Sequence, residues 1–151
     1  MSITLKHIEA KQSEIQQLIA RFKAEQPRTL TVAEASIELA TGEVYAGLIL
    51  NEDGTPAHHL VLLPGQAEEL EWDKAIEWAS EQGGELPTRR EQALLYANCK
   101  QHFEAAGYWS SQQHESNSSW AWCQYFLGGT QGHDRKSYGL RARAVRRLII
   151  E

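Results

Sequence analysis

Cysteine is nearly absent: Cys99 and Cys123 are the two in a chain of 151 residues. Two thiols make no disulfide framework, so the cross-linked scaffold of small secreted domains is excluded and two reduced, partly buried side chains are expected. Long apolar runs are missing as well. None approaches the ~20 residues that span a bilayer, and the opening MSITLKHIEAKQSEI lacks the apolar segment of a secretory signal. The expectation is synthesis in a cytoplasm without a signal peptide and no membrane insertion, with assembly into a particle left open. Carboxylates are scarce in the C-terminal part: beyond Glu115, Asp134 is the one acidic side chain before the terminal Glu151. A calcium site needs several converging oxygen ligands, so this half is too poor in them to build one. Positive charge is not in excess either. The net charge of −5 argues against nonspecific nucleic-acid binding by the whole surface. Internal repeats and low-complexity tails are absent. Asn117-Ser118-Ser119 matches a glycosylation sequon but, without a secretory signal, reads as a polar loop.

What is present is an ordinary globular composition, 42% hydrophobic and 23% charged, at a length that fits one domain with a terminal extension. Residues Lys6 to Gln26 read as an amphipathic helix. Ile8, Ile15 and Phe22 recur every seven residues, Leu18 and Ile19 widen the stripe, and Pro27 stops it. The stripe suits packing on its own domain or a modest homo-oligomeric contact. Lys11 and Glu25 then stand where a strong coiled coil places apolar residues. Next, Thr29–Leu39, Val44–Leu50 and His58–Leu63 read as a small antiparallel meander, with turn signals at Ala40–Glu43 and Asn51–Gly54. A helix over Trp72–Gln82 buries Trp72, Ala75, Ile76 and Ala79, and Gly83-Gly84 ends it. Thr88-Arg89-Arg90-Glu91 is a capping box that opens a second helix, with Leu94 and Leu95 inward. Thereafter Tyr108–Ser111, Trp120–Phe126 and Tyr138–Ile149 read as strands joined by loops rich in Ser, Gln, Gly, Asn and His.

This order is α+β, and the motifs in it resemble a bacterial and phage domain family of unassigned function with a C-type-lectin-like fold. That family also supplies the C-terminal domain of a collagen-like adhesin. The resemblance rests on Trp72 and Ala75; on Leu86, Pro87, Thr88 and Glu91; on Tyr108, Trp109, Ser110 and Ser111; on Ala121, Trp122 and Phe126; and on Leu140, Arg141, Arg143, Val145 and Arg146. Gly84-Glu85 stands where the family often has Trp-Arg. More distant relatives of the fold include phage tail-tip variable proteins and formylglycine-generating oxidases. The resemblance implies two helices packed on a twisted antiparallel sheet with long loops, over residues 57–151, preceded by an N-terminal helix and β-hairpin extension over residues 1–56. It also implies that Trp109, Trp122 and Phe126 are core.

Residue chemistry then has to choose among functions. The oxidases need a matched cysteine pair, and neither Cys99 nor Cys123 falls at a matching position. His58-His59 cannot chelate together from a strand, because neighbouring side chains point to opposite faces. His114-Glu115 and His133-Asp134 sit in separate loops. Ser110 or Ser111 with His114 and Asp134 makes a hydrolytic triad on paper, without a nucleophile elbow. No catalytic residue, metal or cofactor is therefore assigned. The preferred reading is a noncatalytic surface that binds a protein or glycan through Gln112, Gln113, His114, Asn117, Trp120, Tyr125, Gln131, His133 and Asp134. Trp120 and Tyr125 are its exposed aromatic anchors. By the resemblance, the setting is a phage- or prophage-encoded tail-associated or adhesion accessory protein, with a host receptor or host protein as partner and incorporation into a virion left open. A first alternative uses Arg141, Arg143 and Arg147 on one strand face to grip phosphates in an intracellular factor that binds a host protein or nucleic acid. The same arginines equally suit pairing with carboxylates such as Glu68, Glu69, Glu71, Glu77 and Glu81. A second alternative is a cryptic formylglycine-oxidase-like enzyme.

Overall fold

The computed structural model describes residues 2–151. They divide into two compact units, the first ending at Ala33 and the second spanning Glu34–Glu151. In the first, α1 (Leu5–Glu25) opens on a capping box in which the Thr4 side chain accepts from the His7 backbone N–H and the His7 ring answers on the Thr4 N–H. Gln26, ahead of Pro27, is already extended, as a residue before proline must be. The helix buries none of its side chains. The strand expected over Thr29–Leu39 does not form: residues 27–40 are neither helix nor strand. β-branched residues favour a strand only where a neighbouring strand supplies hydrogen bonds, and here none pairs with this stretch.

The second unit is α+β. Its first sheet has three strands in the order β1 (Val44–Leu50), β2 (Pro56–Leu62) and β8 (Val145–Ile149). The β1–β2 hairpin turns where Asn51–Gly54 predicts it, with Gly54 at a positive φ and its N–H donating to the Asn51 carbonyl. Because β1 is laddered to β2, the hairpin belongs with the rest of the fold, and the division falls at 33/34 instead of the 56/57 drawn from motif coverage.

The larger sheet runs β3 (Ala67–Leu70), β7 (Leu140–Ala142), β4 (Gly107–Gln113), β5 (Trp120–Tyr125) and β6 (Gln131–Arg135). Between β3 and β4 lie α2 (Trp72–Glu81), α3 (Arg89–Cys99) and a 3-10 turn at Lys100–His102. The Thr88 capping box forms as predicted: Glu91 N–H donates to the Thr88 hydroxyl, and Thr88 N–H donates to the Glu91 carboxylate at 2.8 Å. β3 and β6 were not anticipated. Both are short and polar, and each is held as an edge strand by its neighbour's ladder.

Two core clusters result. One sets Trp72, Ala75 and Ala79 of α2 against Leu86, Trp109, Ala121, Cys123 and Ala142. The other gathers Leu95 and Cys99 of α3 with Leu60, Leu62, Tyr108, Phe126 and Val145. The buried indoles are satisfied: Trp72 Nε1 donates to the Ser110 carbonyl and Trp109 Nε1 to the Leu70 carbonyl. Ile76, placed inward by periodicity, is 39% exposed, because α2 turns a narrower stripe to the sheet.

The segment Tyr138–Ile149, expected as one strand, is two strands in two different sheets. The crossing at Arg143-Ala144 is tightly fixed. Leu63 N–H donates to the Ala144 carbonyl, and Glu85 bridges Val145. Gly84 makes this possible, since a Cβ there would lie 2.4 Å from the Val145 carbonyl oxygen.

Candidate functional site

β5 decides which side chains face outward. Its ladder with β6 sets Trp120 opposite Arg135, Trp122 opposite His133 and Gln124 opposite Gln131; Ala121 and Cys123 lie opposite Asp134 and Gly132. Alternation sends Ala121, Cys123 and Tyr125 to the α2 side and the two tryptophans to the other. Ala121 and Cys123 are small enough to lie under a helix, and both are fully buried. Trp122 is therefore not the core residue that the resemblance implies. It is half-buried at the centre of an outward-facing cluster.

That cluster is built from three elements. Arg89, at the start of α3, lays its guanidinium over the Trp122 ring, 3.5 Å from the centroid. His114 stacks with Trp122, ring centroids 5.3 Å apart and ring planes 19° from parallel. His133 stands edge-on to His114, Trp120 and Trp122 at 4.6, 5.0 and 5.2 Å. The Trp122 indole N–H donates to Glu115, whose carboxylate also lies 3.8 Å from Arg89. The Glu115 backbone N–H, the Trp122 indole and the neighbouring His114 and Arg89 hold that carboxyl below its ordinary range. Arg89 is fixed further by Gln131, which accepts from its Nε at 3.0 Å and donates back to its carbonyl at 2.6 Å. These contacts hold the side chains in a shallow aromatic and cationic face.

The nine residues chosen from the sequence separate on this frame. His114, Trp120, Gln131 and His133 join the cluster. Gln112 sits at its margin, its side-chain oxygen accepting from the Arg89 backbone N–H at 2.8 Å. Gln113 accepts from Lys136 at 2.6 Å, and Asn117 closes the β4–β5 turn by accepting from Ser119 N–H. Tyr125 and Asp134 are on the wrong face for exposure. The Tyr125 hydroxyl donates to Asp134 at 2.5 Å on the core side, and the ring covers Gly132, where a Cβ would fall 2.8 Å from it. Burial, with the Asp134 contact, pushes the Tyr125 phenol far above its ordinary range. Arg89, Glu115, Trp122 and Arg135 were missed. Their signal was available for one of them: Trp122 alternates with Trp120, and the small Ala121 and Cys123 mark the inner face.

The rival sites fare differently. Arg141, Arg143 and Arg147 do not share one strand face, because β7 ends before Arg143 and β8 begins after it. Each is engaged. Arg141 pairs with Glu68 at 2.6 Å, and Arg143 donates to the His102 and Leu63 carbonyls at 2.6 Å. Arg147 grips buried Glu91 with two bonds of 2.7 Å and reaches Glu85 at 2.6 Å. Arg146 pairs with Glu43. Of the expected acidic partners, Glu68 alone is used; Glu43, Glu85 and Glu91 take the other places because the strands break between sheets. Ser110 is fully buried, so it offers no nucleophile. Both cysteines are buried and free, in separate core clusters, and burial pushes the Cys123 thiol up to about 12. Among the described residues, no three His, Cys, Asp or Glu side chains are grouped to hold a metal ion. Among them too, no helix is long and apolar enough to cross a membrane. No protein-family model and no curated protein sequence matches this chain.

Proposed function

We propose that residues 34–151 form a noncatalytic binding domain with a C-type-lectin-like fold, which receives a protein or glycan partner on the β5–β6 face. The observation that carries this reading is the Arg89–Trp122–His114–His133 cluster, with Trp120 and Arg135 beside it: aromatic area turned outward and held still by ion pairs and ladder hydrogen bonds. Such anchors contribute contact area with little entropy left to lose on binding. Support for the fold comes from the order of strand, two helices and aromatic meander, and from β8 returning to pair with β2. The motif resemblance makes a phage- or prophage-encoded tail-associated or adhesion accessory protein the setting that fits, incorporated into a virion or acting on a host surface. The intracellular phosphate-gripping reading has less to stand on, since its arginines are spent on carboxylates and carbonyls. An oxidase-like reading lacks an accessible thiol.

The test is a parallel screen of wild type and a Trp120→Ala/Trp122→Ala variant against a glycan array and immobilised host envelope proteins. Wild type should select one class, and the variant should lose about a hundredfold in affinity while keeping its fold. Tyr125→Phe, on the inner face, should bind as wild type does. Equal binding by wild type and the double variant would sink the assignment of this face.

A further inference from the structure

α1 presents its whole apolar stripe to solvent: Leu5, Ile8, Ile15, Leu18, Ile19 and Phe22 are all exposed. We infer that two further copies of this chain cover it, in a parallel three-stranded coil of α1 helices. This goes beyond the binding reading and does not depend on it.

The helix begins at Leu5, and starting a heptad there puts Leu5, Gln12 and Ile19 at a positions and Ile8, Ile15 and Phe22 at d positions. In this register Lys11 and Glu25 leave the seam for flanking g positions, and every charged side chain of α1 lies outside a and d. The objection that two charges interrupt the stripe is thereby removed.

Three features select the occupant. Gln12 is the one polar residue in the seam between Leu5 and Phe22. Against an unrelated apolar groove its amide would be buried without partners. Opposite its own copies in the same layer, each amide donates to one neighbour and accepts from the other, so the layer satisfies itself. Isoleucine at d, with Leu5 and Ile19 at a, disfavours two strands and favours three or more. Leu18 at g widens the stripe beyond the narrow seam of a two-stranded coil, and a third helix covers that extra flank. Six apolar side chains at roughly 100 Å² each bury roughly 600 Å² per helix, the size of a weak interface whose assembly depends on concentration. Parallel pairing also sets Lys11 near Gln16, Thr4 near Glu9 and Leu18 near Lys23 of the next copy, so no like charges oppose one another.

Sedimentation equilibrium on the full chain, from micromolar to near-millimolar concentration, tests this. Three times the 17.1 kDa chain mass is expected at the upper end. Ile15→Asp/Ile19→Asp should raise the midpoint concentration at least a hundredfold and leave the thermal unfolding of residues 34–151 unchanged, since those residues form a compact unit of their own. A spin label at Lys6→Cys should report neighbours within about 20 Å, whereas antiparallel helices would separate the labels by about 25 Å or more along the axis. A monomer or dimer mass, or the longer separation, would overturn the inference. Trp120 and Trp122 are untouched in these variants, so failure here is distinguishable from failure of the binding face.

Discussion

Glu91 shows how one residue ties three parts of the fold together. Burial alone would push its carboxyl up, yet the two-bond grip of Arg147, the Thr88 N–H and His58 outweigh it and hold the group at about 2. A carboxyl depressed in the folded state stabilises the protein above its unfolded value near 4.5, and that stability is lost as pH falls toward 2. Urea unfolding between those pH values should therefore lose about 3 kcal/mol for this group. Glu91→Gln should flatten that part of the profile and cost about 3 kcal/mol at neutral pH, because Arg147 is left half-paired. Gly84 is the second residue-scale test. Gly84→Ala drives a methyl into the Val145 carbonyl and should cost about 2 kcal/mol or more, read as a lower denaturation midpoint.

At the scale of the element, β5 carries two kinds of tryptophan neighbourhood across one ladder. Trp109, paired beside Cys123 on β4, is fully buried, so Trp109→Ala should cost about 4 kcal/mol in unfolding experiments. Trp122→Ala, on the outward face, should cost about 1 kcal/mol while carrying the larger loss in partner binding. A reversed order of these stabilities would mean that the faces of β5 are misassigned. The helices were legible in advance: periodicity, the Thr88 capping box and Pro27 mark them, and each is a local signal. The strands were legible where an apolar run lies between turn signals, as in Val44–Leu50. They were not where pairing decides. Thr29–Leu39 has the right composition without a partner, while Gln131–Arg135 lacks the composition and has one.

Across the whole molecule, the proposed binding face and the exposed helical stripe lie on separate units, and three α1 helices in register would gather three such faces on one particle. Linked faces convert later contacts into intramolecular ones, so avidity for a repeated surface ligand should exceed single-site affinity by about a hundredfold or more. Surface binding by the Ile15→Asp/Ile19→Asp variant should fall to the single-site value, as measured on a densely coated sensor. The sequence by itself determined the α+β class, the three helices, the Thr88 capping box, the seven-residue spacing on α1 and the concentration of aromatic and arginine residues toward the C-terminus, because each is written in short-range spacing. Tertiary structure alone decided that Trp122 faces outward, that Tyr125 and Asp134 turn inward, and that the C-terminal arginines divide between two sheets to meet Glu43, Glu68, Glu85 and Glu91. Which face of a strand is buried depends on what packs against it, and α2 and α3 meet β4 and β5 only once the chain has folded back on itself.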